Sequence, residues 1–265
     1  MVDGAVAANR AGSGRDRIVF LGHATVLIEL DGVVLVTDPL LRGRVLHLRR
    51  QVAAVDRALV ANPGAVLISH LHQDHLDLPS LRHLGRDTHI VAPAGAGAWL
   101  GKRGFTSVSE LRVGERTSVG ALVVSAVEAR HDGGRRPRGP QAQAIGYLIR
   151  GSKSVYFAGD TELFDGMSRL AEPSPRLDVA LLPVGGWGPT LGPGHLDPLD
   201  AARALRLLSP RMAIPIHWGT LLPMGFSRRY RARLGDPPRR FAEHAASLAP
   251  AVEVRILEPG QQTTF

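Results

Sequence analysis

The chain contains 265 residues, 44% apolar and 21% charged, a composition that suits a globular protein with a sizeable core and excludes a disordered chain. It has no cysteine, which excludes disulfides, thiolate metal ligands and cysteine nucleophiles together. Lysine and arginine exceed aspartate and glutamate by eight, an excess that is compatible with anionic partners but selects none.

The first predicted elements are three short apolar runs at 18–22, 25–30 and 33–38. Asp31-Gly32 separates the second run from the third, and this dipeptide is typical of a two-residue hairpin turn. The chain is therefore predicted to open as an antiparallel meander.

Further along the chain, apolar β-rich runs alternate with helical stretches. The remaining predicted strands are 65–70, 89–93, 121–127, 144–149, 154–160, 178–184, 212–217 and 252–257. The predicted helices are 78–85, 94–101, 162–171, 198–208 and 238–248. A meander followed by strand and helix alternation predicts an α/β fold, an αββα sandwich of two mixed β-sheets with helices on the outer faces.

Nothing in the composition divides the chain, so we expect one domain over 17–265 after a flexible lead-in at 1–16. The lead-in has an acidic Asp3 and no apolar segment of the kind found in a signal peptide. No apolar run approaches the roughly 18 to 20 residues that cross a bilayer. We therefore expect a cytoplasmic protein without a membrane span.

A dense group of metal-binding side chains follows the apolar strand at 65–68. It comprises His70, His72, Asp74 and His75. Alternation in an extended stretch places His70, His72 and Asp74 on one side, and a turn brings His75 round from the other, so two adjacent metals could share the loop. Imidazole and carboxylate ligands suit zinc, and also manganese or iron.

Four residues cannot complete two coordination shells, so further ligands are expected at other strand ends. His131 follows the strand at 121–127, Asp160 closes 154–160 and His217 closes 212–217. Taken singly, each could be a structural histidine or a turn-forming aspartate, but their shared placement favours a metal site.

This order of residues resembles the metallo-β-lactamase superfamily, whose motif is His-x-His-x-Asp-His followed by a distant His, an Asp and a last His. The segments Gly22-His23-Ala24-Thr25, Thr37-Asp38-Pro39, Gly159-Asp160-Thr161 and His217-Trp218-Gly219-Thr220 look like the branch that contains L-ascorbate-6-phosphate lactonase and the N-acylphosphatidylethanolamine-hydrolysing phospholipase D. The resemblance extends from about residue 18 to residue 257, and it implies the same αββα fold.

The resemblance also implies roles for these residues. His70, His72 and His131 would hold one metal, Asp74, His75 and His217 the other, and Asp160 would bridge the two. A water between two such cations can be acidified toward neutrality and serve as a hydroxide nucleophile. The catalytic residues implied are then Asp74 and His195. His195 matches a family histidine beside the substrate and could act as a general acid or oxyanion partner, or it could be a turn residue before a helix with no part in the chemistry.

Other residues are expected at the substrate side of the site. His23 could contact substrate, lie beneath the metals or orient a ligand, and a buried structural role is equally open. Arg135 and Arg136 follow His131 and could capture an anion, or lie in a plain flexible loop. The segment at 221–235, which departs from the family pattern, could be a lid, a nucleic-acid contact or the interface of a homo-oligomer.

Three functions remain open at this point. The first is a dinuclear hydrolase acting on a phosphodiester, lactone or amide-like ester of an anionic small molecule. The second is a nucleic-acid or nucleotide phosphodiesterase that uses the arginine-rich surface, although sparse aromatic residues and the lack of a large inserted domain disfavour it. The third is a metal-bound ligand carrier without turnover.

Overall fold

The structure is a computed structural model that describes residues 16–135, 137–171, 176–185, 191–225 and 234–265. The lead-in expected at 1–16 therefore lies, apart from Asp16, outside the described residues. In the part of the chain that is described, no helix combines the length and the apolarity needed to span a membrane.

The first large sheet is built from the opening meander, three parallel strands and the last strand of the chain. In spatial order it contains β17 (Gln262–Thr264), β1 (Arg17–Gly22), β2 (Thr25–Leu30), β3 (Val33–Thr37), β6 (Ala65–Leu67), β7 (Ile90–Pro93) and β8 (Val108–Leu111). The neighbours from β17 to β3 pair antiparallel, and those from β3 to β8 pair parallel. The meander predicted at the start of the chain is confirmed.

The second large sheet is also mixed. In spatial order it contains β16 (Glu253–Val254), β14 (Met212–Ile216), β13 (Val179–Pro183), β12 (Ser154–Phe157), β11 (Ile145–Arg150), β10 (Leu122–Glu128) and β9 (Arg116–Val119). The neighbours from β9 to β12 pair antiparallel, and those from β12 to β16 pair parallel. Parallel strands start and end at the same edges of a sheet, so the carboxyl ends of β12, β13 and β14 lie side by side.

A small third sheet joins two distant parts of the chain. It consists of β4 (Arg44–Val45), β5 (Leu48–Arg50) and β15 (Leu221–Pro223), with β5 in the centre. The buried Arg50 guanidinium donates hydrogen bonds to the carbonyls of Leu21 and Ala53. This sheet therefore fixes residues 221–223 beside the end of β1.

Helices cover the outer faces of the two large sheets. They are α1 (Leu78–Leu84), α2 (Gly97–Gly101), α3 (Pro198–Leu208) and α4 (Asp236–Leu248), with 3-10 helices at Arg57–Val60 and Asp165–Ala171. Leu81 and Leu100 pack with Val19 on the first sheet, whereas Leu205 and Phe241 belong to the cluster that includes the second sheet. The two mixed sheets with outer helices confirm the predicted α/β sandwich; the helix predicted at 162–171 is instead a 3-10 helix that starts at residue 165.

Side chains alternate across the first sheet in the way that this layering requires. Ile18 and Phe20 face the core between the sheets, whereas Val19 and Leu21 pack in the cluster beneath α1 and α2. The tight turn between β2 and β3 has positive φ at both Asp31 and Gly32, 50° and 75°, as the dipeptide predicts.

Candidate metal centre

The chemistry-bearing side chains lie where strands of both large sheets end. The loop at 68–75 follows β6, Asp38 follows β3, Asp160 follows β12 and His217 follows β14. Loop 68–75 leaves the sheet because the backbone N–H of Ser69 donates to the Asp38 carboxylate at 2.7 Å, which ends the strand before the residue 70 that the sequence predicted. The loop thus projects its histidines beyond the sheet edge.

One group of donors consists of three histidines. The Nδ1 atom of His72 lies 3.0 Å from Nε2 of His70 and 3.2 Å from Nε2 of His131. One nitrogen from each ring lies within 4.8 Å of the other two. We call these three residues the first subsite.

A second group lies beside the first. Asp74, His75 and His217, together with His23, place one donor atom each within 4.8 Å of one another. We call Asp74, His75 and His217 the second subsite. It is the more enclosed of the two, because His75 and His217 are buried whereas His72 and His131 are partly exposed.

Asp160 lies between the subsites. Its Oδ2 is 3.9 Å from Nε2 of His70 and 3.2 Å from Nε2 of His75, and its Oδ1 is 3.3 Å from Nε2 of His217. A single buried carboxylate thus faces histidines of both groups. The structure brings all seven predicted ligands together at one site.

In two of these histidines the second ring nitrogen donates a hydrogen bond to a backbone carbonyl. Nδ1 of His217 donates to the carbonyl of Gly185 at 2.7 Å, and Nδ1 of His131 donates to that of Gly194 at 3.0 Å. A neutral imidazole that donates from Nδ1 carries a lone pair on Nε2. Both rings therefore present a lone pair toward the centre.

Ser69 and Asp38 hold two histidines of the loop, His70 and His75. Nδ1 of His75 donates to Asp38 Oδ2 at 2.7 Å, and the Ser69 hydroxyl donates to the same oxygen at 2.5 Å. Because the Ser69 proton is used in that bond, the Ser69 oxygen accepts a hydrogen bond from Nδ1 of His70 at 3.0 Å. Asp38 belongs to the segment Thr37-Asp38-Pro39, but the sequence alone assigns it no role, because its partners Ser69 and His75 lie more than thirty positions away and only the fold brings them together.

The donor set fits divalent cations. Nε2 of His75, Nε2 of His217 and Oδ1 of Asp160 are buried and make no hydrogen bond with the described residues. Buried polar atoms almost always have partners, and a lone pair opposite a carboxylate oxygen is unfavourable without a positive charge between them. Cations bound by these atoms would satisfy all three.

Burial sets the charge of most of these histidines. It lowers the pKa of His131 to about 4 and the pKa of His217 to about 3. Burial also lowers the pKa of His70 and His72. Since all four rings are neutral at pH 7, their lone pairs are available to a cation without competition from protons.

The carboxylates remain ionised despite burial. Burial raises the pKa of Asp74 and Asp160, but neighbouring histidines outweigh it and hold both pKa values below the ordinary range. For His75 burial lowers the pKa, yet the surrounding carboxylates Asp160, Asp74 and Asp38 outweigh burial and raise it. The centre therefore supplies two ionised carboxylates at neutral pH.

His195 lies at the more open side of the centre, three residues before α3. Its Nε2 is 3.4 Å from Asp160 Oδ2, its Nδ1 is 3.1 Å from the Gly192 carbonyl, and its side chain is 21% exposed. Burial lowers the pKa of His195, but the hydrogen bond and charge of Asp160 outweigh it and raise the pKa. The ring can therefore carry a proton close to the open side of the site.

The predicted substrate residues have different surroundings. His23 is buried, and its Nε2 lies 3.1 Å from Asp74 Oδ2. Arg135 donates from Nη1 to the carbonyls of Leu71 and Leu76, at 3.1 and 2.7 Å, so its guanidinium braces the ligand loop; contact with substrate stays a prediction. Arg136 and residues 226–233 of the segment at 221–235 lie outside the described residues.

Comparison with known proteins identifies the family. Residues 34–218 match the family described as the β-lactamase superfamily domain. The chain is 32% identical over 257 residues to a UPF0173 metal-dependent hydrolase of Methanopyrus kandleri, an alignment that covers 92% of this chain and 98% of that one. The chain therefore belongs to the metallo-β-lactamase superfamily of metal-dependent hydrolases.

Solved structures agree with this assignment. Igni18, a metallo hydrolase of the archaeon Ignicoccus hospitalis, superposes with a TM-score of 0.70 at 26% identity, covering 94% of this chain and 98% of its own. An isothiocyanate hydrolase from Delia radicum gut bacteria superposes with a TM-score of 0.71 over the same shares of the two chains. At 19% identity, that second likeness concerns the fold alone.

Proposed function

We propose that this protein is a dinuclear metal-dependent hydrolase in which the first and second subsites hold one cation each and Asp160 contacts both. The observation that carries the proposal is the set of buried, unpartnered donor atoms on His75, His217 and Asp160. Zinc is the proposed cation, because it prefers imidazole and carboxylate donors; manganese and iron accept the same ligands.

The protein's own groups supply the rest of the mechanism. When bound, paired cations acidify a water nucleophile and polarise the bond under attack. Asp160 and Asp74 bring two negative charges that would offset those cations, and the histidine nitrogens of the two subsites would hold them. The Asp160 carboxylate favours the protonated form of His195, and His195 then donates this proton to the leaving group from the exposed side of the site.

The proposed substrate is an anionic small molecule with a phosphodiester, lactone or amide-like ester bond. The resemblance of four sequence segments to the branch of L-ascorbate-6-phosphate lactonase and N-acylphosphatidylethanolamine-hydrolysing phospholipase D supports this class. The excess of basic residues is in keeping with an anionic substrate.

We further propose that residues 17–265 form one domain. Strands β1 and β17 pair although they come from opposite ends of the described chain, and the two sheets share a continuous core. The seven proposed ligands also come from loops of both large sheets, so that the site itself spans the described chain from residue 70 to residue 217.

Metal analysis combined with a substrate panel tests the function. The purified full chain should contain about two cations, and a panel of phosphodiesters, lactones and acyl amides should yield at least one product whose formation stops on chelation and returns with metal. Asp74→Ala and Asp160→Ala should abolish that turnover, while His195→Ala should lower kcat more than it changes KM. Turnover that survives both aspartate changes rejects the mechanism, and a loaded protein without any product supports a ligand carrier instead.

A further inference from the structure

His23 contacts two residues of the second subsite, Asp74 and His217. Its backbone carbonyl accepts a hydrogen bond from the backbone N–H of His217 at 2.8 Å. Its imidazole Nε2 lies 3.1 Å from Asp74 Oδ2, and its ring centroid lies 4.1 Å from that of His217. One residue of the opening meander thus joins a ligand from the loop after β6 to a ligand from the end of β14.

The direction of the hydrogen bond to Asp74 follows from its partners. An ionised carboxylate can only accept, so the proton lies on Nε2 of His23. A nitrogen that donates a proton has no lone pair for a cation. His23 lies within reach of the second subsite, but this geometry makes it a hydrogen-bond donor that orients Asp74 and not a further metal ligand.

The backbone at residue 23 is fixed as firmly as the ring. His23 has a positive φ of 56°, a conformation that costs free energy for a residue with a side chain. Its N–H donates to the Thr220 hydroxyl at 2.6 Å, which in turn donates to the Trp218 carbonyl at 3.0 Å. A Cβ on the preceding Gly22 would come within 2.9 Å of Thr220 Oγ1, so only glycine allows this close approach.

We propose that His23 is a positioning residue that builds the second subsite, by donating to Asp74 and by holding His217 through its backbone. The inference rests on the proposed metal binding and deepens it. Loss of an oriented partner of a metal ligand typically lowers affinity about 10- to 100-fold. Because His70 and His131 of the first subsite have hydrogen-bond partners of their own, Ser69 and Gly194, the loss should fall on the second cation alone.

The test measures zinc affinity by chelator competition on the full chain, in the wild type and three variants. His23→Ala should bind the first cation as the wild type does and the second about 10- to 100-fold more weakly. His23→Gln should recover most of the second affinity, because an amide N–H can still donate to Asp74. His83→Ala, a change of an exposed histidine beside Arg57, serves as the matched control.

Two results overturn the proposal. Wild-type affinity for both cations in His23→Ala would show that the side chain does not position Asp74. His23 would instead be a metal ligand if two results came together. His23→Ala and His23→Gln would lose the same amount of affinity for the second cation, and the visible spectrum of the cobalt-loaded His23→Gln variant would differ from that of the wild type. If the wild type itself bound no pair of cations, the proposed function would be wrong, and this outcome differs from the two results above. Circular dichroism of each variant separates these results from misfolding.

Discussion

Asp38 accepts three hydrogen bonds in a fully buried position, from the Ser69 N–H, the Ser69 hydroxyl and Nδ1 of His75. Through Ser69 it also orients His70, so that a single carboxylate serves a histidine of each subsite. This connection predicts that Asp38 supports metal binding by orienting His70 and His75.

Asp38→Asn should weaken the binding of metal by about 10- to 100-fold. The amide keeps one acceptor oxygen but turns an N–H toward groups that are themselves donors. Chelator competition measures the effect. Asp178→Asn is the matched control, since Asp178 also accepts from the N–H and hydroxyl of a serine, Ser154, but lies away from the centre. Equal metal affinity in the two variants would contradict the role assigned to Asp38.

The hydroxyl groups of two buried tyrosines should contribute differently to the free energy of unfolding. The Tyr147 hydroxyl donates to the carbonyls of Ile68 and Val91, at 2.7 and 3.0 Å, whereas the Tyr156 hydroxyl has no hydrogen-bond partner among the described residues. Removing one partner of a buried hydrogen bond costs about 1–3 kcal/mol, and removing an unsatisfied hydroxyl costs little. Tyr147→Phe should therefore lower the free energy of unfolding by that amount, and Tyr156→Phe should leave it unchanged or raise it.

Urea denaturation of both variants measures these free energies. Both changes remove the same hydroxyl group from a fully buried ring, so each variant is the control for the other. A larger loss for Tyr156→Phe than for Tyr147→Phe would contradict the hydrogen bonding described.

At the scale of residues, the sequence predicted the histidines and aspartates of the centre but not what holds them. His70, His72, Asp74 and His75 are close in sequence, and their spacing alone predicts a metal-binding loop. Asp38 and the carbonyls of Gly185 and Gly194 reach their histidines across 32 to 63 positions of chain. Such partners have no local pattern, because a backbone carbonyl carries no signal in the sequence.

At the scale of elements, the turn between β2 and β3 also carries a tertiary contact. Asp31 accepts hydrogen bonds from the hydroxyl and N–H of Ser152, at 2.5 and 2.7 Å, which joins the hairpin of β2 and β3 to the turn between β11 and β12. The Ser152 hydroxyl, the Ser152 N–H and the nearby Lys153 charge lower the pKa of Asp31 below its ordinary value.

This lowered pKa predicts a pH dependence of stability. A carboxyl whose pKa is lower in the folded state stabilises the fold above its unfolded pKa, and the contribution is lost as the pH falls through the folded pKa. Asp31→Asn retains a residue that tolerates positive φ but removes this titration. Its free energy of unfolding should therefore fall less steeply than that of the wild type between about pH 5 and pH 3.

Chemical denaturation across that pH range measures the slope. Asp87→Asn, which removes an exposed surface charge elsewhere, controls for the change in net charge. Identical slopes in the wild type and Asp31→Asn would show that the contact with Ser152 does not favour the ionised form.

The sequence predicted the strands of the sheet centres better than those of the edges. All eleven apolar runs correspond to strands, whereas β4, β5, β8, β9, β15 and β17 were missed. Gln262–Thr264 and Arg116–Val119, for example, are short and polar and become strands only because a neighbour offers an edge. The 3-10 helix at Asp165–Ala171 contains Gly166, which weakens an α-helix.

At the scale of the whole molecule, the site depends on how the two sheets meet. The first sheet supplies loop 68–75 and Asp38, and the second supplies Asp160 and His217, so neither sheet alone contains a complete centre. The αββα arrangement could be predicted from the order of elements, and the convergence of strand ends follows from it. The distances between the subsites could not, because they depend on the packing of the core between the sheets.

Anomalous X-ray scattering from crystals of the zinc-loaded full chain tests the central claim most directly. We expect two peaks per chain, one bounded by His70, His72 and His131 and the other by Asp74, His75 and His217, with Asp160 in contact with both. A lone peak, or peaks that the Asp160 carboxylate does not touch, would contradict the account.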